Sequence, residues 1–161
     1  MPHNTKRPLA ELTPQGGLEE RGIHDLLGYQ LAQATIVTDA VFERVVSGPL
    51  GLRPVEFTIL QLVKENSGVT PSKLAKALAM TAPAITTWLD RMAQRGTLLR
   101  ERSSTDRRAQ SLHVTPEGEQ LVSQALALLL QTERALLAGL SEGERQILLE
   151  LLHKVACARP R

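Results

Sequence analysis

A chain of 161 residues, 42% of them hydrophobic, is long enough for one compact core. Aromatic residues are only 2%, so the interior is built from Leu, Ala, Val and Ile, which suits packed helices, and no uninterrupted run of about 18 apolar residues is available to span a membrane. The net charge of +2 is unevenly spread: Ser72 to His113 carries eight basic and three acidic residues, a local +5 that leaves −3 elsewhere, the electrostatic footprint of a face that meets phosphates.

Residues 1–22, with Pro, Gly and charge but no apolar run resembling a signal peptide, are expected to form a flexible leader to a single domain over 23–161. From about His24 to Val46 the apolar residues Leu26, Leu27, Leu31, Ala34, Val37, Val41, Phe42 and Val45 recur at three and four, predicting a long amphipathic helix ended by Gly48-Pro49. A second helix starts at Pro54, a residue suited to the first helical position, and closes at Ser67-Gly68. Thr70-Pro71-Ser72 then caps a short helix with Leu74, Ala75 and Leu78 facing inward. Thr81 caps another, Ala82 to Arg95, with Ile85, Trp88, Leu89 and Met92 inward and Gly96 as its stop. Two short helices joined by a tight break, the second with a small and polar outer face, are the layout of a helix-turn-helix.

After Leu98 and Leu99 the period changes, and an extended pattern resumes at Ser111 to Val114, predicting a β-hairpin whose polar tip, Ser103 to Arg108, carries dense positive charge as a wing would. Thr115-Pro116-Glu117-Gly118 caps a long helix to about Ala138, and Ser141-Glu142-Gly143-Glu144 is a capping box opening a last helix to about Cys157. Their stripe, including Leu121, Leu128, Leu136, Ile147, Leu151 and Val155, exceeds what a small winged domain covers by itself, and burial against a second copy accounts for the excess. The expected fold class is therefore mainly α with a small β-hairpin wing: a winged helix-turn-helix at about 53–115, with dimerisation helices at about 24–47 and 116–157.

The stretch GVTPSKLAKALAMTAPAITTWLDRMAQRGTLLRERSSTDRRAQSLHVTPEGEQLV, with its recognition helix, Asp-x-Arg wing and Val-Thr-x-x-Gly exit, resembles the MarR family of winged helix regulators, and the likeness runs from about His24 to Val155. The resemblance implies a homodimer with interlocked terminal helices, whose two recognition helices enter successive major grooves of a pseudo-palindromic site in double-stranded DNA. It places Asp106 and Arg108 at the wing's Asp-x-Arg, with Arg107 between them, the arginine in the minor groove and the aspartate orienting it. A narrow minor groove concentrates negative potential, which attracts a guanidinium, and a carboxylate restrains its direction.

Thr81, Ala84, Thr86, Thr87 and Arg91 are the candidate groove contacts, because hydroxyls and methyls meet base edges and arginine reaches phosphate or guanine. Arg102 joins them from the base of the wing, and Ser72 and Lys73, at a helix start, are placed to approach phosphate. The recognition helix departs from its relatives at Thr87, where many carry a basic residue, and at Trp88, which replaces an aliphatic one, so base preference does not transfer.

The family resemblance also implies release from DNA when a small aromatic carboxylate or phenol enters a pocket between the dimer helices and the winged domain. The polar handles for such an effector would be His24, Tyr29, Gln33, Arg44 and Arg53. Ordinary interfacial packing or solvation is the alternative for each.

Catalysis has no visible apparatus: His3, His24, His113 and His153 are scattered, and no nucleophile elbow, Gly-x-Gly-x-x-Gly or P-loop occurs, so neither an enzyme nor a cofactor is expected. Glu150, His153 and Cys157 share one helical face at spacings that permit metal ligation, but a lone cysteine among leucines is more often a small apolar group. That single cysteine excludes an intrachain disulfide and agrees with a cytoplasmic location. Two alternatives stay open: a winged helix whose basic segment meets an acidic protein, and a metal- or thiol-responsive regulator of the same family.

Overall fold

Residues 12–102 and 110–159 are described by the structure, a computed structural model. Two units are distinguished, Met1–Ala40 and Val41–Arg161. Within the first, residues 12–19 form a turn closed by a bridge between Leu12 and Glu19. The Thr13 N–H donates to the Leu18 carbonyl at 2.9 Å, and the Leu18 N–H donates to Thr13 Oγ1 at 3.0 Å. A backbone turn thus lies inside the segment expected as a leader.

Helix α1 (Leu27–Phe42) begins three residues later than its apolar spacing suggests and does not stop at Gly48-Pro49. It passes into a π turn (Glu43–Ser47) and a last short helical turn, α2 (Gly48–Leu50). The reason is local. Pro49 brings no N–H, and its ring would clash with the carbonyl four residues back, so the preceding turn widens until the Gly48 N–H reaches the Glu43 carbonyl. The helix ends instead at Gly51, whose φ of 60° is the left-handed conformation that glycine adopts without strain.

Helix α3 (Pro54–Glu65) starts as expected, with Pro54 in its first turn. Its cap was not anticipated: Glu56 Oε2 accepts the Arg53 N–H at 3.0 Å. Glu56 is only 2% exposed, and its charge is met by Arg95, which also donates to the Gly51 carbonyl at 3.0 Å. A buried carboxylate is tolerable only when paired in this way.

Helix α4 (Pro71–Ala77) is capped by Thr70, whose hydroxyl accepts the Lys73 N–H, and α5 (Ala82–Gln94) by Thr81, whose hydroxyl accepts the Ala84 N–H. Between them Ala79 takes a φ of 52°, and the Met80 N–H returns to the Ala75 carbonyl at 2.9 Å, making the tight break of the helix-turn-helix. Strands β1 (Leu98–Arg102) and β2 (Gln110–Val114) pair antiparallel, with Leu98 opposite Val114 and Arg102 opposite Gln110. Val69 adds one further bridge to Leu112.

Helix α6 (Pro116–Leu136) is capped by Thr115 and helix α7 (Glu142–Cys157) by the expected Ser141/Glu144 box. The core of the second unit joins Ile59, Leu60 and Val63 of α3, Leu74 of α4, Ile85, Leu89 and Met92 of α5, Leu98 and Leu112 of the hairpin, and Val122 and Ala125 of α6. Each leucine or isoleucine removed from water there contributes about 2 kcal/mol, and this burial sets the inward face of α5. No residue of α7 is buried.

Candidate nucleic-acid interface

With Ile85, Leu89 and Met92 turned into the core, α5 presents Thr86, Thr87 and Arg91 outward, while Ala84 is half-buried. The Thr86 hydroxyl donates to the Ala82 carbonyl at 2.8 Å, and that of Thr87 to the Pro83 carbonyl at 3.0 Å. Each hydroxyl proton is thereby occupied, which leaves oxygen lone pairs and a methyl group on the outer face. Such a surface can accept from base amino groups and touch thymine methyls. Thr81 is exposed at the cap of α5, and Ser72 and Lys73 are exposed in the first turn of α4.

One acidic residue on this face, Asp90, would repel phosphates were it free. Arg100 of β1 holds it at 2.8 Å and also donates to the Thr86 carbonyl at 3.2 Å, so a single guanidinium cancels the charge and braces the base of the wing against α5. The strand alternation that turns Leu98 inward also puts Arg100 on the inner face of the hairpin, a signal present in the period-2 pattern of the sequence. Arg102 ends β1, whereas Asp106, Arg107 and Arg108 lie outside the described residues.

Trp88 is expected inward, and the structure modifies that reading. The side chain packs against the core yet stays half-buried. Its indole lies 5.3 Å from the Arg91 guanidinium and 5.8 Å from that of Arg53. Arg53, proposed above as an effector handle, therefore sits over the recognition helix.

The other effector candidates fall in different places. In the first unit the Tyr29 hydroxyl donates to Glu20 at 2.5 Å, and this bond to the carboxylate holds the phenol pKa above its usual 10.0. His24 Nδ1 lies 3.1 Å from the neighbouring Asp25 carboxylate, and Gln33 is half-buried. In the second unit Arg44 is exposed on the π turn, while Arg53 borders an open depression of about 570 Å³ with Glu43, Ser47, Leu52 and Val55. On α7, Cys157 Sγ is 3.6 Å from His153 Nε2, but Glu150 pairs with Lys154, and among the described residues no group of three His, Cys, Asp or Glu side chains is arranged for a metal ion. No helix among the described residues is long and apolar enough to cross a membrane.

A capped helix pair with a polar outer face, followed by a two-stranded wing, defines a winged helix-turn-helix DNA-binding fold. Residues 52–109 match the MarR family model. Over 129 residues the chain is 30% identical to a protein of Thauera aromatica named as a transcriptional regulatory protein for the hcr operon, covering 80% of this chain and 78% of the relative. Among solved structures it is similar to the transcriptional repressor CouR bound to a 23-mer DNA duplex, with a TM-score of 0.79, 30% identity and coverage of 86% of this chain and 98% of that one. It is also similar to a MarR mutant from E. coli complexed with operator DNA, with a TM-score of 0.72, 27% identity and coverage of 80% and 92%. The chain belongs to the MarR family of winged helix-turn-helix transcriptional regulators, a DNA-binding and non-enzymatic class.

Proposed function

We propose that this regulator acts in the cytoplasm as a homodimeric repressor, binding a pseudo-palindromic operator and leaving it when a small aromatic or phenolic ligand binds. The observation that carries the reading is a division of surfaces within the second unit. The outer face of α5 is polar and cationic, while α6 and α7 leave Leu130, Leu136, Ile147, Leu148, Leu151 and Val155 uncovered. An apolar stripe of this extent calls for a partner surface, and a second copy of the chain would bring a second α5. Thr81, Ala84, Thr86, Thr87 and Arg91 would then meet the major groove, Ser72 and Lys73 the phosphates, and Arg108, oriented by Asp106, the adjacent minor groove, with Arg102 and Arg107 as further contacts from the wing. An effector that prefers one separation of the two recognition helices would shift the dimer away from the spacing DNA needs.

The test is a titration of the purified protein against duplex DNA from upstream of its own gene and against a scrambled duplex, at two salt concentrations, with molar mass followed by light scattering. Saturable, selective binding by a species of twice the chain mass is expected, together with a loss of about tenfold or more for Arg108→Ala without loss of the dimer. Equal weak binding to both duplexes would overturn the repressor reading. A panel of aromatic carboxylates and phenols that leaves the complex intact would remove its effector clause.

A further inference from the structure

The second unit contains two kinds of arginine close to α5. Arg95 and Arg100 are held by carboxylates, those of Glu56 and Asp90. Arg53 and Arg91 have no carboxylate partner among the described residues and converge instead on one indole, that of Trp88, at 5.8 Å and 5.3 Å. We propose that Arg53, Trp88 and Arg91 form a preorganised clamp for the phosphate backbone of duplex DNA, with the arginines as contacts and Trp88 as the positioning residue.

The inference rests on the DNA-binding reading, adds Arg53 and Trp88 to it, and gives Arg91 a phosphate at the groove's edge, not a base, as its contact. Two guanidiniums brought to one ring repel each other, and neither is in an ion pair among the described residues, while Asp90 beside them is held by Arg100, so the arrangement is complementary to an anion. A guanidinium over an indole face keeps its N–H edge available, and that edge matches phosphate oxygens. The ring also limits the rotamers of two long side chains before DNA arrives, which lowers the ordering cost of binding. Its own position is firm, because Trp88 follows Ile85 and precedes Leu89 on the buried side of α5 and packs against the core. Arg53 is anchored too: its backbone N–H is bonded to Glu56, so the α3 cap does not depend on its side chain.

The experiment is fluorescence anisotropy of the operator duplex with the full chain, over a series of salt concentrations, for wild type, Arg53→Ala, Arg91→Ala, Trp88→Phe and Trp88→Leu. Removing one phosphate contact reduces the slope of log K against log salt by about 0.9, and a substitution in the homodimer removes two, so a reduction of about 1.8 is expected. Arg53→Ala and Arg91→Ala are each expected to show that reduction with about tenfold weaker binding near physiological salt. Trp88→Leu retains both charges and should weaken binding while keeping the wild-type slope, and Trp88→Phe should restore most of the affinity, a rescue that a purely structural role would not require of an aromatic ring. An Arg53→Ala protein with wild-type slope and affinity would overturn the clamp, as would Trp88→Leu binding as well as Trp88→Phe. Wild-type protein that bound no duplex would instead defeat the DNA-binding reading itself, and the clamp with it.

Discussion

Gly118, in the first turn of α6, lies against the end of the turn that follows α5. A Cβ placed there would stand 2.1 Å from the Thr97 carbonyl oxygen and 2.8 Å from Val114, and backbone cannot move aside as a side-chain tip can. The same junction is tied by the Thr115 hydroxyl, which donates to the Gly96 carbonyl at 2.7 Å and accepts the Gly118 N–H at 3.0 Å. Gly118→Ala is therefore expected to destabilise the fold by about 3 kcal/mol, the upper end for overpacking, measured by urea denaturation. An unchanged midpoint would mean that α6 can shift away from the hairpin. The Thr-x-x-Gly pattern announces a cap, but the need for glycine comes from the neighbouring chain and not from the backbone conformation.

Helix α7 shows what an element gains from its own ends. With nothing of it buried in the second unit, its start is held by the Ser141/Glu144 box and by Glu142, which accepts from Arg145 and Gln146. Those bonds, the Arg145 bond first, lower the Glu142 pKa from 4.5 to about 2, and Ser141 lowers that of Glu144. A carboxyl whose folded pKa is depressed adds stability above its unfolded pKa and loses it as pH falls through the folded value. The contribution of Glu142 should thus be complete above about pH 5 and fade toward pH 2. Thermal melts of wild type and Glu142→Gln should differ near neutrality and converge near pH 2. A difference that persists at the acid end would show that Glu142 acts by packing and not by charge. In α1, by contrast, the local signal misleads: Gly48-Pro49 resembles a stop, yet a widened turn carries the helix on to Gly51.

At the scale of the whole molecule the uncovered stripe of α6 and α7 is the dominant fact. Leu151, 53% exposed, and Ile147, 57% exposed, are one helical turn apart on α7, and a cleft of about 330 Å³ between α6 and α7 is lined by Leu130, Leu137, Leu148 and Leu149 with Arg134 and Arg145. Placing a charge in this stripe, as in Leu151→Glu, should halve the mass of the proposed dimer seen by light scattering and weaken operator binding, since in that assembly each protomer alone would contact half a site. Helical content by circular dichroism should be retained. A variant that stays dimeric would move the interface elsewhere on the chain.

The order of the longer helices and the hairpin, the helix caps at Thr70, Thr81, Thr115 and Ser141, and the inward stripe of Ile85, Leu89 and Met92 are legible in the residues alone. Each of these depends on residues within a turn or two of one another, where spacing is geometry. The sequence also carries the basic character of the central segment, because charge adds up without regard to packing. Which of those charges are paired inside the fold depends on long-range packing. Arg95 reaches Glu56 across 39 positions, Arg100 turns back to Asp90, and Arg53 arrives over Trp88 from a different helix. Partners so far apart along the chain meet only once the core has set the helices against each other, and so the packing of the core selects which arginines are paired with a carboxylate and which are left on a ring.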